Sequence, residues 1–161
     1  MKNPRQKWRG FFLAYHRRLS YKACMAALSL TASNVLKSST GSRSTGIAGE
    51  TITAGQAVYV MASGKIGLAD ANGTAPANTC AGIAENAASL NQPVSYVTAD
   101  TAGFTIGATV LAGDMIWVHT TPGAITKTFA DLTSGCTVIP LGSMLSTTTL
   151  ALQPLVGGVV A

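Results

Sequence analysis

The 161-residue chain has little charge: Asp, Glu, Lys and Arg together make up 11% of it, against about 25% in an average soluble domain. Its hydrophobic fraction is 47%, which excludes a disordered chain, since disorder needs low hydrophobicity and high charge. Thr, Ser, Ala and Gly must therefore cover the surface, a composition suited to strand-rich proteins whose surfaces are largely occupied by neighbours. Histidine is nearly missing. His16 and His119 are the only two, and a nucleophile–base–acid arrangement has no recognisable elbow to sit on. The three cysteines, Cys24, Cys80 and Cys136, are far apart and in no C-x-x-C spacing. That gives neither a disulfide framework nor a zinc site, and small buried thiols are the plain reading. The six acidic residues stand singly, so no carboxylate pair for glycoside chemistry is favoured. No glycine-rich turn leads into a helix that would hold a phosphate. No apolar run approaches the roughly 18 residues that a membrane span requires. These absences point away from an enzyme, a metal, a cofactor, a small-molecule substrate and a membrane.

The net charge of +5 is unevenly placed. Residues 1–24 hold Lys2, Arg5, Lys7, Arg9, Arg17, Arg18 and Lys22 and no acid, whereas the rest of the chain carries four basic residues against six acidic ones. The body is thus mildly acidic and lacks the clustered Lys/Arg of a phosphate-binding face, which argues against a nucleic-acid partner.

Within the basic stretch, Trp8, Phe11, Phe12, Tyr15 and Leu19 fall at i, i+3, i+4, i+7 and i+11, one stripe of an amphipathic helix. A membrane-surface or partner-docking helix and a secretory signal are both readings of such a segment. The signal fits poorly, because the apolar run "ACMAALSL" is short and no small-residue cleavage site follows. Composition changes abruptly at Met25, which leaves two readings open: a peripheral arm, with Trp8, Phe11, Phe12, Arg17 and Arg18 as its contact residues, or an extension upstream of the translation start.

The body says nearly the same thing twice. In "GETITAGQAVYVMASGKI" and "GATVLAGDMIWVHTTPGAI", Gly49, Thr51, Ala54, Gly55, Val60, Gly64 and Ile66 recur as Gly107, Thr109, Ala112, Gly113, Val118, Gly123 and Ile125. Tyr59 recurs as Trp117, Met61 as His119, and further on Gly82 as Gly142, with "QPVSYV" faintly echoed in "TTTLAL". Each copy is short of 60 residues and too small to bury its own face well. Gly at the third place of "TAGQ" and "LAGD" predicts a type II turn, which needs positive φ there. The strand that follows carries apolar residues on both faces in both copies, so burial on both sides is expected. His119, standing where the first copy has Met61, reads as a packing or surface position. Tyr59 and Trp117 read as core aromatics rather than stacking platforms.

Short β-prone runs at Ile66–Ala69, Cys80–Ala84, Val94–Thr98, Phe104–Val110, Ile125–Phe129, Thr137–Leu141 and Thr148–Leu152 are separated by turn residues. This predicts an all-β sandwich or barrel built from two pseudo-repeats, about 49–100 and 107–156, preceded by an extended segment over 25–48. "TFADLTSG" offers at most one short helix, with Thr128 and Asp131 at capping-box-like spacing and Gly135 at its end.

In order, "LTASNV", "GIAGETITAGQAVYV", "CAGIAENAASLNQPVSYVTA", "GATVLAGDMIWV", "DLTSG" and "LGSMLSTTTLAL" resemble the small capsid decoration (cement) proteins of tailed bacteriophages, over about residues 28–161. The resemblance implies a non-enzymatic virion protein that assembles in the host cytoplasm as a homotrimer on the outer face of the expanded capsid. There it would bridge neighbouring major capsid protein subunits. A head fibre or a glycan-binding, host-surface-binding virion protein is the alternative. The basic aromatic arm departs from the family pattern, since such proteins usually begin near the position of Met25.

Overall fold

The computed structural model describes residues 26–132 and 134–155. The stripe and charges of the arm, including Trp8, Phe11, Phe12, Arg17 and Arg18, lie outside the described residues.

Ten strands form the body: β1 (Val35–Leu36), β2 (Ser42–Ile47), β3 (Ala57–Val60), β4 (Ile66–Leu68), β5 (Gly82–Ala84), β6 (Pro93–Ile106), β7 (Met115–Val118), β8 (Ile125–Thr126), β9 (Pro140–Met144) and β10 (Thr149–Leu152). All strand pairings are antiparallel, and the sheet curls into a half-barrel in the order β4-β3-β5-β6-β10-β9-β7-β8, with β1 and β2 also on β6. The all-β expectation holds. Among the described residues the only helical pieces are two single 3-10 turns, Ala32–Asn34 and Phe129–Asp131.

The duplicated phrase builds a duplicated topology. In the first unit β2, the N-terminal half of β6, β5, β3 and β4 lie side by side; in the second, the C-terminal half of β6, β10, β9, β7 and β8 do. Each unit therefore takes in one strand upstream of the sequence repeat. The turn prediction is met in both: Gly55 has φ 91° and Gly113 φ 90°, with turn bonds from Gln56 N–H to Thr53 O (3.3 Å) and from Asp114 N–H to Leu111 O (3.2 Å). A residue with a Cβ is strained at such φ, which is why both copies keep glycine.

Three expectations need correction. Val94–Thr98 and the start of Phe104–Val110, up to Ile106, are not two strands but parts of the 14-residue β6, and Gly107–Val110 lie beyond its end. The intervening "ADTAG" looks like a turn, yet the strand bends there instead of reversing, because Asp100 is anchored to a distant loop. Second, the faint echo of "QPVSYV" is one residue out of step. Tyr96 opposes Ala84 and Leu150 opposes Met144, so Tyr96 corresponds to Leu150 rather than Ala151. Third, no capping box forms at Thr128: its side chain makes no cap bond, and the turn ends at Leu132, not Gly135. The Asp131 carboxylate accepts from Thr126 Oγ1 (2.7 Å), and Thr126 Oγ1 in turn accepts the Thr128 N–H (3.1 Å).

The hydrophobic interior has two parts. The smaller belongs to the first unit alone and contains Ala48, Ile52, Val58, Ile66, Ala84, Ala88, Val94 and Tyr96. The larger holds the second unit's inner side chains, among them Phe104, Ile116, Ile125, Leu141, Met144 and Leu150, together with Ala57, Ile83 and Val97 from the other face of the first unit. Backbone bonds stitch the units along this seam: Ala57 N–H to Gly123 O (2.9 Å), Gly123 N–H to Ala69 O (2.8 Å), Ala71 N–H to His119 O (3.1 Å) and Thr137 N–H to Ala71 O (2.8 Å). The entering segment straps the second unit. Leu28 N–H bonds Ile125 O on β8 and Thr31 N–H bonds Gly107 O just past β6 (both 2.8 Å), while Leu28 and Leu30 pack on the larger core.

Candidate partner-binding face

Residues that oppose each other across a sheet share a face, so the pairing register identifies equivalent rows in the two units. In the first unit Ala57 opposes Ile83, and Ile83 opposes Val97. All three are 0% exposed. In the second unit Met115 opposes Ser143, and Ser143 opposes Ala151. This row is open: Met115 is 38% exposed and the other two are half-buried. Burial on both sides, expected for β3 and β7 alike, is thus found at Ala57 and Val58 of β3 but not at β7. There Ile116 and Val118 point into the core and Met115 and Trp117 do not share their burial. The physical reason is the layer order: the second unit covers the outer row of the first, whereas the turn at Phe129–Asp131 covers only the Trp117–Thr126 end of its own and leaves Met115 exposed.

Around this row lie Thr105 and Thr149, which oppose each other, Leu36 opposite Thr105, and Trp117 opposite Pro140 and Thr126. Phe129 meets the Trp117 ring edge-on, with centroids 5.3 Å apart at 71°, and is itself 49% exposed. Leu155, 58% exposed, donates its N–H to Pro140 O (3.0 Å). None of these residues is charged. A solvated antiparallel sheet face ordinarily alternates polar residues against the core, and an uncharged face bearing Met, Trp, Phe and Leu is the composition of a contact surface. Tyr59 and Trp117 are both half-buried and both pack against the larger core, as core aromatics do, Trp117 also meeting Phe129 at the edge of this face. Gly55 and Gly113 lie in the turns that lead into β3 and β7.

The polar groups elsewhere are structural. Asp100 marks the point where β6 passes from one unit to the other. Its carboxylate accepts Ser38 Oγ–H (2.6 Å), Ser38 N–H (2.7 Å) and Gly103 N–H (3.2 Å). Burial works to raise the Asp100 pKa, but these donors outweigh it and hold the carboxyl below its ordinary value. Arg43 on β2 forms a two-pronged pair with Glu85, Nε to Oε2 at 2.6 Å and Nη2 to Oε1 at 2.5 Å. His119 is a packing residue, 2% exposed. Its Nδ1 accepts the Thr121 N–H (3.0 Å), which puts the ring proton on Nε2, and Nε2 has no partner among the described residues. Cys80 is half-buried rather than buried, and desolvation pushes its thiol up to about 12. Cys136 is buried in the larger core.

A cavity of about 410 Å³ lies between the entering segment and the end of β6, lined by Ser29, Thr31, Asn34, Thr105, Thr109 and Thr148 among others. Hydroxyls and one amide can bond a polar group there, but no charged or titratable side chain lines it for proton transfer. Among the described residues no three His, Cys, Asp or Glu side chains are grouped to hold a metal ion, and no helix is long and apolar enough to cross a membrane.

The chain matches no known family model and no curated protein sequence. Its surface must speak for itself. The open row Met115–Ser143–Ala151 was not visible in the sequence, because both copies carry apolar residues on both strand faces and only the stacking of the units separates a buried row from an exposed one.

Proposed function

We propose that the protein is a structural, non-enzymatic virion component that binds the outer surface of an expanded bacteriophage capsid. Its partners are the major capsid protein and further copies of itself, in a homotrimer. The observation that carries this reading is the uncharged, apolar outer face of the second unit, the counterpart of a row that the first unit buries completely. Such a face completes its burial only against another protein surface. The sequence resemblance to decoration proteins supplies the partner. A ligand that prefers the expanded shell stabilises that state by mass action, about 2.7 kcal/mol per site when its free concentration is 100 times its Kd.

The test is co-sedimentation of purified protein with expanded and unexpanded heads, with light scattering for the free oligomer. Binding to expanded heads by a trimer is expected, and Met115→Glu should abolish it while changing folding stability by only about 0.5 kcal/mol, as an exposed position does. A free monomer that stays in the supernatant would end this reading. The edge-on Trp117–Phe129 pair on the same face favours one second reading, a glycan-binding head fibre. It predicts that soluble glycans shift Trp117 fluorescence, whereas the capsid reading predicts no shift.

A further inference from the structure

We infer that the cavity between the entering segment and the end of β6 is a binding site for a small, uncharged, hydroxyl-rich ligand such as a neutral sugar. It lies where the two units depart from their common plan. In the first unit the residues that follow β2 bond directly to β4: Gly49 N–H donates to Ile66 O (2.7 Å), and Ala48 bridges Ile66. In the second unit the equivalent residues are Gly107 and Ile125, and the entering segment bonds both of them instead, Leu28 N–H to Ile125 O and Thr31 N–H to Gly107 O (both 2.8 Å). The first unit closes on itself at this point, whereas the second takes in an extra segment. The cavity of about 410 Å³ opens against that segment, within the range of about 300–1,000 Å³ of small-molecule sites. Around Thr51, the counterpart of Thr109, the first unit has only about 180 Å³, and there Gln92 Oε1 already accepts the Ser89 N–H (3.0 Å).

The lining decides the ligand. Ser29, Thr31, Asn34, Thr105, Thr109 and Thr148 bring five hydroxyls and one carboxamide to the one cavity. Among the described residues none of these six side chains is engaged in a hydrogen bond. Hydroxyls elsewhere are engaged: Ser38 on Asp100 (2.6 Å), Thr126 on Asp131 (2.7 Å) and Ser146 with Thr149 (2.6 Å). No charged side chain lines the cavity, so a carboxylate, phosphate or ammonium entering it would give up hydration without gaining a counter-ion. A hydroxyl both donates and accepts, and so does a carboxamide. The set therefore matches a ligand whose own groups do the same. Each threonine also presents a methyl beside its hydroxyl, and Gly107 and Ala108 add wall without polar side chains, a mixed surface suited to the C–H and O–H groups of a sugar ring. Of the six, all but Thr105 are exposed, so a ligand can enter without rearrangement of the fold.

The inference goes beyond the capsid reading and does not depend on it, and its test needs no capsid. Backbone amide shifts of the isotope-labelled full chain are followed by NMR during titration with glucose, galactose, N-acetylglucosamine and, as a mimic of main chain, N-acetylglycinamide. Saturable shifts with a neutral sugar, centred on Gly107, Ala108 and Thr109, are expected at a Kd of about 1 mM, the strength of a small ligand held by a few hydrogen bonds. Asn34→Leu and Thr109→Val keep the side-chain bulk and remove the polar groups, and each should weaken binding about tenfold. Both positions are exposed, so the urea midpoint should not move. Thr51→Val, the same change in the first unit, should leave binding as it is. Absence of a saturable shift with all three sugars overturns the inference, as does a shift that Asn34→Leu and Thr109→Val leave intact, or one centred on Met115 or Trp117. Binding of N-acetylglycinamide in preference to every sugar also overturns it, and would make the cavity a seat for the main chain of a protein partner.

Discussion

The two units share a strand order, a pair of glycine turns and an inner row, and they part company on the outer row. Inside, Val58, Ile66, Ala84 and Tyr96 of the first unit match Ile116, Ile125, Met144 and Leu150 of the second, all of them buried. Outside, Ala57, Ile83 and Val97 are sealed within the larger core, while Met115, Ser143 and Ala151 face outward. A sheet has two faces, and the first unit is sandwiched between two cores whereas the second borders only one. The layer a strand sits in, rather than its own pattern, decides whether its second face is interior or contact surface.

The strongest way to break the equivalence is at the glycines that open β5 and sit mid-way along β9. A Cβ on Gly82 would run into Val97 O, and one on Gly142 into Ala151 O, each the carbonyl of the neighbouring strand. Because backbone cannot yield as a side-chain tip does, Gly82→Val and Gly142→Val should each cost about 4 kcal/mol or more, at the exceptional end for single substitutions. Urea unfolding of the two variants measures it. Similar losses would show that one close approach holds both units, and a loss confined to Gly142, where φ is also 142°, would show that the units are alike in topology only.

The outer rows sharpen the contrast next. Ile83→Ala removes a side chain that is fully buried and should cost about 2–4 kcal/mol through lost burial and the cavity left behind. The equivalent position in the other unit tolerates change: Ser143→Ala should alter stability by about 0.5 kcal/mol or less. Thermal unfolding of the pair reads the difference, and equal effects would mean that the row at Ser143 is covered in the isolated protein more tightly than its own strands allow.

Much of this was legible in advance. The turn at "TAGQ" and "LAGD" is local chemistry, fixed by the φ of one glycine, and the recurrence of Gly82 as Gly142 marked equivalent positions in the two units. What escaped depended on residues far apart in the chain. The bend in β6 is set by Ser38, 62 positions from Asp100. The burial of His119 comes from its place on the inter-unit seam beside Ala71, and the opening of the Met115 row comes from which unit stacks on which. Thr126 drew the Asp131 carboxylate away from the cap that spacing alone predicted.

The smallest effect tests the joint between the units. Asp100 has no charged counterpart in the repeat, and its bonds to Ser38 hold the loop between β1 and β2 where both β6 and that ribbon pass from one unit to the other. Its folded pKa lies below the ordinary carboxylate value, so the unfolded chain binds the proton more readily and the contribution to stability is fully present above about pH 4. It fades as pH falls through the folded value. Asp100→Asn should thus cost about 2 kcal/mol at neutral pH, the scale of hydrogen bonds to a charged group, with the gap to the unaltered chain narrowing in acid. Denaturant midpoints from pH 7 down to pH 2 measure both curves. Parallel curves would mean that the joint is held by shape alone, and the two units would then owe their alignment to the larger core rather than to the carboxylate.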